Sequence, residues 1–461
     1  MRTAAVTLAC AALWGCATAG PPSAGEAPRT VHETGADAAE PTTWWKGNLH
    51  THSLWSDGED YPEMIAAWYR DHGYDFVAFT EHDMLQAGGD RWLDVNAPDD
   101  GWPPRNASAR KALPGYISRF GDMVDQRVEG ERHLVRLRPL SEYRDWFEEP
   151  GAFLLLMGEE ITDREGAHVN AIEPAQAILP RGGAGPGERI RANLAAVREQ
   201  EAETGRRILA FVNHPNFVWS LTAEEIADIP DARFFEVFNG HAMVANEGDS
   251  VRASTERIWD VALSLRLAAG GPLLYGIAGD DAHDYREHSG DVSRPGRGWV
   301  RVRSRTLDAA ALAAAMDAGD FYASTGVALR DVRCDAGGLH IDIDADPGAS
   351  YRVSFIGTRA GTPLDSRPVV TAAGDTLRTT RIYGDGVGAV LAEVERTRAS
   401  YTFVGDELYV RARIDSSLPH VDPTTGNVLG TQRAWTQPVR PAAAAAGGCG
   451  GGTEGSPVKR D

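Results

Sequence analysis

From Trp44 to about Gly326, short runs of β-branched and aromatic residues alternate with stretches that carry helical spacing. The runs at 75–80, 152–157, 168–172, 207–212, 234–238, 273–278 and 299–302 read as strands. Between them, 61–72 has Pro62 at a first helical position and sets Met64, Ile65, Trp68 and Tyr69 on one face. Thr222-x-x-Glu225 is a capping-box pattern, and 254–269 and 307–318 read as further helices. Strands alternating with helices predict parallel βα units, closed as a barrel or left as an open sheet. Residues 84–150 break this rhythm, being too long for an ordinary βα loop. With Trp92, Trp102, Pro103 and Pro104, they read as an insertion, either a substrate wall or an inert excursion. After Gly326 the helical spacing stops. Runs at 351–356, 369–371, 376–383, 390–393, 400–403 and 408–414 alternate apolar and polar, which predicts a small antiparallel β-sandwich.

Composition narrows the partners. The 461 residues are 42% hydrophobic and 24% charged, which suits a folded core. Lys+Arg number 46 against 66 Asp+Glu, a net charge of −20, so neither nucleic acid nor an anionic membrane surface is an expected partner. Four cysteines without a CxxC pair exclude a disulfide-dense scaffold and a thiolate zinc module. At the N-terminus, Arg2 precedes an apolar stretch ending in Leu13-Trp14-Gly15-Cys16, an export signal whose close resembles a lipoprotein cleavage site. The expected location is therefore periplasmic or cell-surface, with a lipid on Cys16 as the one membrane attachment; cleavage after Ala17-Thr18-Ala19 would give a secreted protein instead. Residues 17–43 have the composition of a flexible tether. The tail 441–461 is glycine- and alanine-rich and reads as disordered. A Cys334–Cys449 disulfide is conceivable in an oxidising compartment, but a glycine-rich tail offers no fixed geometry, and the pair is expected to stay unlinked.

The chemistry-bearing residues sit at strand ends. His50 and His52 flank Thr51 on an extended chain, so both rings point to one side and can reach one metal. Asp57 follows in Ser56-Asp57-Gly58, His82 closes the second strand, Glu160 follows the 152–157 run, and His168 opens the next. His214 ends Asn213-His214, and Asp281 and His283 follow 273–278. Carboxyl ends of strands in parallel α/β folds converge on one crevice. Six histidines and three carboxylates exceed one octahedral shell, so two or three divalent ions are implied; a set without thiolates suits zinc, manganese or iron. Three carboxylates supply about −3 against about +4 to +6 from the ions, so the site favours a small anionic or ester substrate. Arg164, Arg294 and Arg297, in predicted loops beside these segments, are candidates to hold it, and His241 is a candidate for the cleft wall. Glu236 and Asn239 are candidates to orient ligands.

These motifs, in the order His50-x-His52, Ser56-Asp57-Gly58, Thr80-Glu81-His82, Gly158-x-Glu160, His168, Asn213-His214-Pro215 and Gly279-x-Asp281-Ala282-His283, resemble the PHP superfamily, named for polymerase and histidinol phosphatase domains. The resemblance covers about Lys46 to Gly326, and the trailing β region with Trp435-Thr436-Gln437-Pro438 is most similar to the CehA/McbA-like metallohydrolases. It implies an α/β fold, a distorted (β/α)7 barrel over 44–327 with an insertion at 84–150, followed by an antiparallel β-sandwich over 328–440. It also implies a catalytic trinuclear cluster. His50, His52, Glu160 and Asp281 would hold one ion, Glu160 would bridge to a second held by His168 and His214, and Asp57, His82 and His283 would hold the third. Some family members carry histidine where this chain has Asp57, and Glu159 leaves the bridging residue open by one position, with strand alternation favouring Glu160.

The expected activity is metal-assisted hydrolysis of a phosphate monoester or diester. A carboxylic or carbamate ester hydrolase on the same ions is the enzymatic alternative. A cell-surface binding protein on a degenerate scaffold is the non-enzymatic one.

Overall fold

The runs without polar alternation become strands covered on both faces: every side chain of Leu209–Val212 and Tyr275–Gly279 is buried. In the computed structural model, which describes residues 42–98, 105–286 and 293–441, they join one mixed sheet. Its strands are β1 (Thr43–Asn48), β2 (Phe76–His82), β3 (Leu154–Thr162), β4 (His168–Ile172), β5 (Leu209–Val212), β6 (Phe234–Asn239) and β7 (Tyr275–Gly279). They continue as β8 (Trp299–Ser304), β9 (Phe321–Ser324), β10 (Tyr351–Arg359), β11 (Ala389–Val394), β12 (Glu407–Val421) and β13 (Val428–Thr436). Across the sheet the order is β7-β6-β5-β4-β3-β2-β1-β8-β9-β13-β12-β10-β11. The signal segment, nearly all of the tether, including Cys16, and the tail from 442 lie outside the described residues.

Strands β1 to β7 carry the site. The sheet curls until the chain leaving β7 meets the chain leaving β1: Asp281 N–H donates to His50 O and His52 N–H to Ala282 O, both at 3.0 Å. Thr51 and Ala282 form a parallel bridge there. The predicted uniform run of parallel βα units needs correction. β3 and β4 are antiparallel and joined by one short 3-10 turn, Arg164–Gly166, and β4 and β5 are antiparallel too. Helices Pro62–Asp71, Pro186–Thr204, Thr255–Ala268 and Ala309–Asp317 supply the outer layer. The capping box at Thr222 and Glu225 is formed. Trp259 lies fully buried against β7, where a Cβ on Gly276 would come within 2.8 Å of its ring.

The 84–150 segment folds as an antiparallel three-stranded sheet, Arg91–Asp94, Arg132–Leu137 and Gln126–Glu129, with helix Arg105–Phe120. Its core takes in Leu54, Trp55 and Tyr61, so it packs against the loop that carries Asp57. After β9 the strands are antiparallel, as expected, but β13 pairs with β9 and so extends the main sheet. A second sheet, Leu329–Asp335, Gly338–Ile343 and Arg398–Thr402, shares a hydrophobic core with β10, β12 and β13. Of the runs expected at 369–371 and 376–383, only Ile382–Tyr383 is a strand, paired with Ser366–Arg367. Cys334 is disulfide-bonded to a cysteine outside the described residues, so the expected absence of a Cys334–Cys449 link also lies outside them.

Two buried acids outside the site test the packing. Asp260, on helix Thr255–Ala268, accepts from Arg411 of β12 at 2.7 and 2.9 Å and from Tyr409 Oη at 2.8 Å. Asp260→Ala leaves a buried guanidinium without its main counter-charge and is expected to cost about 3–5 kcal/mol in urea unfolding. Glu63 is buried with neither carboxyl oxygen hydrogen-bonded and Arg138 Nε 3.8 Å away; burial pushes its pKa up to about 7. Between the ordinary glutamate pKa and 7, the unfolded chain releases this proton while the folded chain keeps it, so stability falls as pH rises through that window. Glu63→Gln is expected to flatten that fall when urea midpoints are compared at pH 5 and pH 8.

Candidate metal centre

Each ligand candidate stands where a strand yields to a loop, at one end of the sheet. Asn48, at the end of β1, donates to His50 O at 2.9 Å and accepts from Asp280 N–H at 3.0 Å, so the loops after β1 and β7 are stitched together. His82 ends β2 and Glu160 lies near the end of β3. His168 opens its strand, yet it reaches the same place because β4 runs backwards, pairing with Thr162 in register. His214 follows β5, and Asp281 and His283 follow β7.

Glu160 is the hub. Its Oε1 lies 2.9 Å from His168 Nδ1 and 3.3 Å from His214 Nε2. Its Oε2 lies 3.0 Å from His82 Nδ1, 3.4 Å from His52 Nε2 and 3.5 Å from His50 Nε2. Asp281 Oδ1 is 3.3 Å from the Nε2 atoms of both His50 and His52. Asp57 is 3.3 Å from His82 Nε2 and from His283 Nε2, and 3.8 Å from His52 Nδ1. Three groups emerge, each with ligand atoms close enough to share an ion: His50, His52 and Asp281; Glu160, His168 and His214; and His52, Asp57, His82 and His283. The first two are buried, while Asp57, His82 and His283 are half-buried. All nine predicted ligands are brought together. His52 joins two groups, one with each ring nitrogen, a sharing that spacing did not reveal.

The donor set fits divalent ions. His50 Nε2 and both nitrogens of His52 are buried without a hydrogen bond, a costly state that a cation on their lone pairs would relieve. His50 Nδ1 is 2.8 Å from Glu236, which fixes the ring with its Nε2 lone pair inward. Burial, followed by His283 and His82, pushes His52 down to about 3, so it stays neutral, as a ligand must. Burial opposes ionisation of Glu160, but His168, His82 and His50 hold its carboxyl well below the usual range. Asp281, among His50 and His52, and Asp57, between His283 and His82, are held down against burial in the same way.

Behind the ligands stand buried acids that hold loops. Glu236 also accepts from His214 N–H at 2.8 Å and from Asn239 Nδ2 at 2.7 Å, and Asn239 reaches Asp281 Oδ2 at 3.1 Å. Glu81 accepts from the backbone of Ser53 and Ser56, from both hydroxyls and from Gln86 Nε2. Asp280 accepts from the N–H groups of Gly296, Arg297 and Gly298 and from Tyr69 Oη. Glu159 turns away from the cluster to accept Ile178 N–H at 2.8 Å, as strand alternation predicts. Glu81 and Asp280 were not recognised from sequence. Their signal is an acid immediately preceding a ligand at a strand end.

The substrate candidates separate. Arg164 is exposed, in a hollow of about 430 Å³ lined by Thr162, Asp163, Pro180, Gly182 and Arg189, and has no ion-pair partner among the described residues. His241 stands beside the cluster, its ring 5.6 Å from that of His283. Arg294 is buried and already engaged. Arg297 is buried and engaged by Asp422, at 2.8 and 3.0 Å, and by Gly240 O, at 2.8 Å.

No family model and no curated protein matches the chain. Among solved structures, a two-domain protein from Bacteroides vulgatus containing a predicted PHP-like metal-dependent phosphoesterase aligns with a TM-score of 0.37 and 15% identity, over 85% of this chain and 94% of that one.

The two neighbouring glutamates give a direct test. Elemental analysis of protein purified without chelator is expected to find two or three ions per chain. Glu160→Gln should lose at least one of them, while Glu159→Gln should keep the full complement.

Proposed function

We propose that this chain is a PHP-type metal-dependent hydrolase of small phosphate esters, exported and tethered as the N-terminal segment suggests. The observation that carries this reading is the convergence of five histidines on Glu160, with Asp57 and Asp281 completing three ligand groups at one opening. His50, His52 and Asp281 would hold one ion, His168 and His214 a second with Glu160 between the two, and His82, His283 and Asp57 a third, with His52 between the first and third groups. Such ions supply an acidified water and positive charge facing an anionic ester. The chain's own part is to fix the ligands and to place the substrate. Glu236 and Asn239 set the orientation of His50 and Asp281. The half-buried group at the opening is the one a substrate meets first. Arg164, two residues past the Thr162 hydroxyl that touches His82, offers a fork of donors to a phosphoryl or carboxylate oxygen. An exterior at −20 suits a small substrate better than a long polyanion.

The metal-loaded protein is expected to release phosphate from p-nitrophenyl phosphate or its bis ester and to lose that activity on chelation. Hydrolysis of an aryl ester or carbamate with no phosphate release from any phosphoester would overturn the phosphoesterase assignment. Arg164→Ala is expected to raise KM about tenfold and leave kcat within about twofold, the loss of one charge-assisted hydrogen bond.

A further inference from the structure

The loop that carries His241 is tied to the far C-terminal strands by an unbroken run of contacts. The β12–β13 hairpin turns at Asp422, which is buried and whose Oδ1 accepts from Thr424 and Thr425 N–H at 3.0 Å each. Its other oxygen accepts from Arg297 Nε and Nη2 at 3.0 and 2.8 Å. Arg297 in turn donates Nη1 to Gly240 O, at 2.8 Å, and its backbone N–H to Asp280, at 2.7 Å. Gly240 has no room to move inward: a Cβ there would lie 2.7 Å from Asp280 O and 3.0 Å from Arg297 Cβ. The residue after Gly240 is His241, and the residue after Asp280 is the ligand Asp281.

The state of His241 follows from its own hydrogen bonds. Its backbone N–H donates to Asn239 Oδ1 at 2.8 Å, and its Nδ1 lies 3.1 Å from Met243 N–H. A backbone N–H can only donate, so Nδ1 presents a lone pair and the ring proton sits on Nε2. The ring stands edge-to-face with both His283 and Phe217, at 5.6 and 5.9 Å, and is half-exposed beside the half-buried ligand group. Its Nε2–H has no protein acceptor among the described residues.

We propose that His241 donates its Nε2–H to an oxygen of the substrate's reacting group, and that Asp422 and Arg297 of the C-terminal hairpin clamp are positioning residues for it. This rests on the hydrolase reading above for the identity of the substrate, while the clamp itself rests on geometry alone. A fixed donor aimed at developing charge is worth about a hundredfold in rate.

The test uses the full chain loaded with zinc, with p-nitrophenyl phosphate as substrate. His241→Ala is expected to lower kcat about a hundredfold with metal content unchanged, and His241→Gln, which keeps an N–H donor, to recover most of it. Asp422→Ala should lower kcat about tenfold, and the double variant should be no slower than His241→Ala alone, because both changes remove the same contact. Where Asp422→Ala does not fold, Asp422→Asn takes its place. Histidine ¹⁵N spectra provide a readout without substrate: His241 is expected as the Nε2–H tautomer, with its signal shifted by the Asp422 substitution. An Nδ1–H tautomer, a signal indifferent to Asp422, or losses that multiply in the double variant would overturn the proposal. A wild-type protein that hydrolyses no ester would overturn the phosphoesterase reading instead, and the spectra would still decide the clamp.

Discussion

A carboxylate cannot be taken out of water without compensation, and Glu160 is taken out almost completely, with nitrogens of five histidines within 3.5 Å. The isolated charge would be too costly to keep, so the folded state depends on positive charge or strong donors arriving from four different segments. The curl of the sheet is what delivers them. β2 and β3 bring His82 and Glu160 side by side through their ladder, where they are direct register partners. The reversed β4 brings its first residue, and β1, β5 and β7 bring the residues just past their ends. His50 Nε2 and both ring nitrogens of His52 are left buried there without a hydrogen-bond partner, and a cation held on those atoms would complete them.

Ligands on strands are held by the ladder; ligands on loops need something else. At three strand ends an acid directly precedes a ligand in sequence: Glu81 before His82, Glu159 before Glu160 and Asp280 before Asp281. Successive side chains on a strand point to opposite faces, so in the first two pairs the second residue enters the cluster and the first faces away; Asp280 and Asp281 lie past the end of β7, where Asp281 turns the chain with φ +50°. The outward acids gather backbone N–H groups: Glu81 from Ser53 and Ser56, Glu159 from Ile178, and Asp280 from three consecutive residues of the loop after β7. The arrangement thus uses one sequence doublet twice, for chemistry and for the loop that frames it.

This division of labour explains what could be seen in the sequence. The strands at 168–172, 234–238 and 299–302 are legible because β-branched and aromatic residues recur in them, and all nine ligands are legible because they cluster at or near the ends of such runs. The helix Pro186–Thr204 was not read, since its buried face is thin, with Ile190, Leu194 and Val197 among many charges. The direction of β4 was not legible either: the turn Arg164–Gly166 looks like any loop, and nothing in a single strand's pattern encodes parallel or antiparallel pairing. The strands Leu329–Asp335, Gly338–Ile343 and Val428–Thr436 do not stand out in the sequence because none carries a continuous apolar run, and the last is exposed over its first four residues. Arg297 was read as a free loop arginine because its partner, Asp422, lies 125 residues away.

The ligands least anchored by strands are Asp57 and the pair Asp281 and His283, and each has its own brace from outside the curled strands. The loop bearing Asp57 is pinned from beneath by Glu81. It is covered by the 84–150 segment, whose core includes Trp55 and Tyr61, the latter stacked on Tyr116 at 4.2 Å. The loop bearing Asp281 is pinned by Asn48 and Asn239, and through Asp280 and Arg297 it is joined to the β12–β13 hairpin. Both braces reach ligands that lie past strand ends, where no ladder holds them. A cluster assembled from six strands of a curled sheet is held directly by the ladder only at His82, Glu160 and His168; two additions, one inserted early in the chain and one appended late, brace loops that carry other ligands.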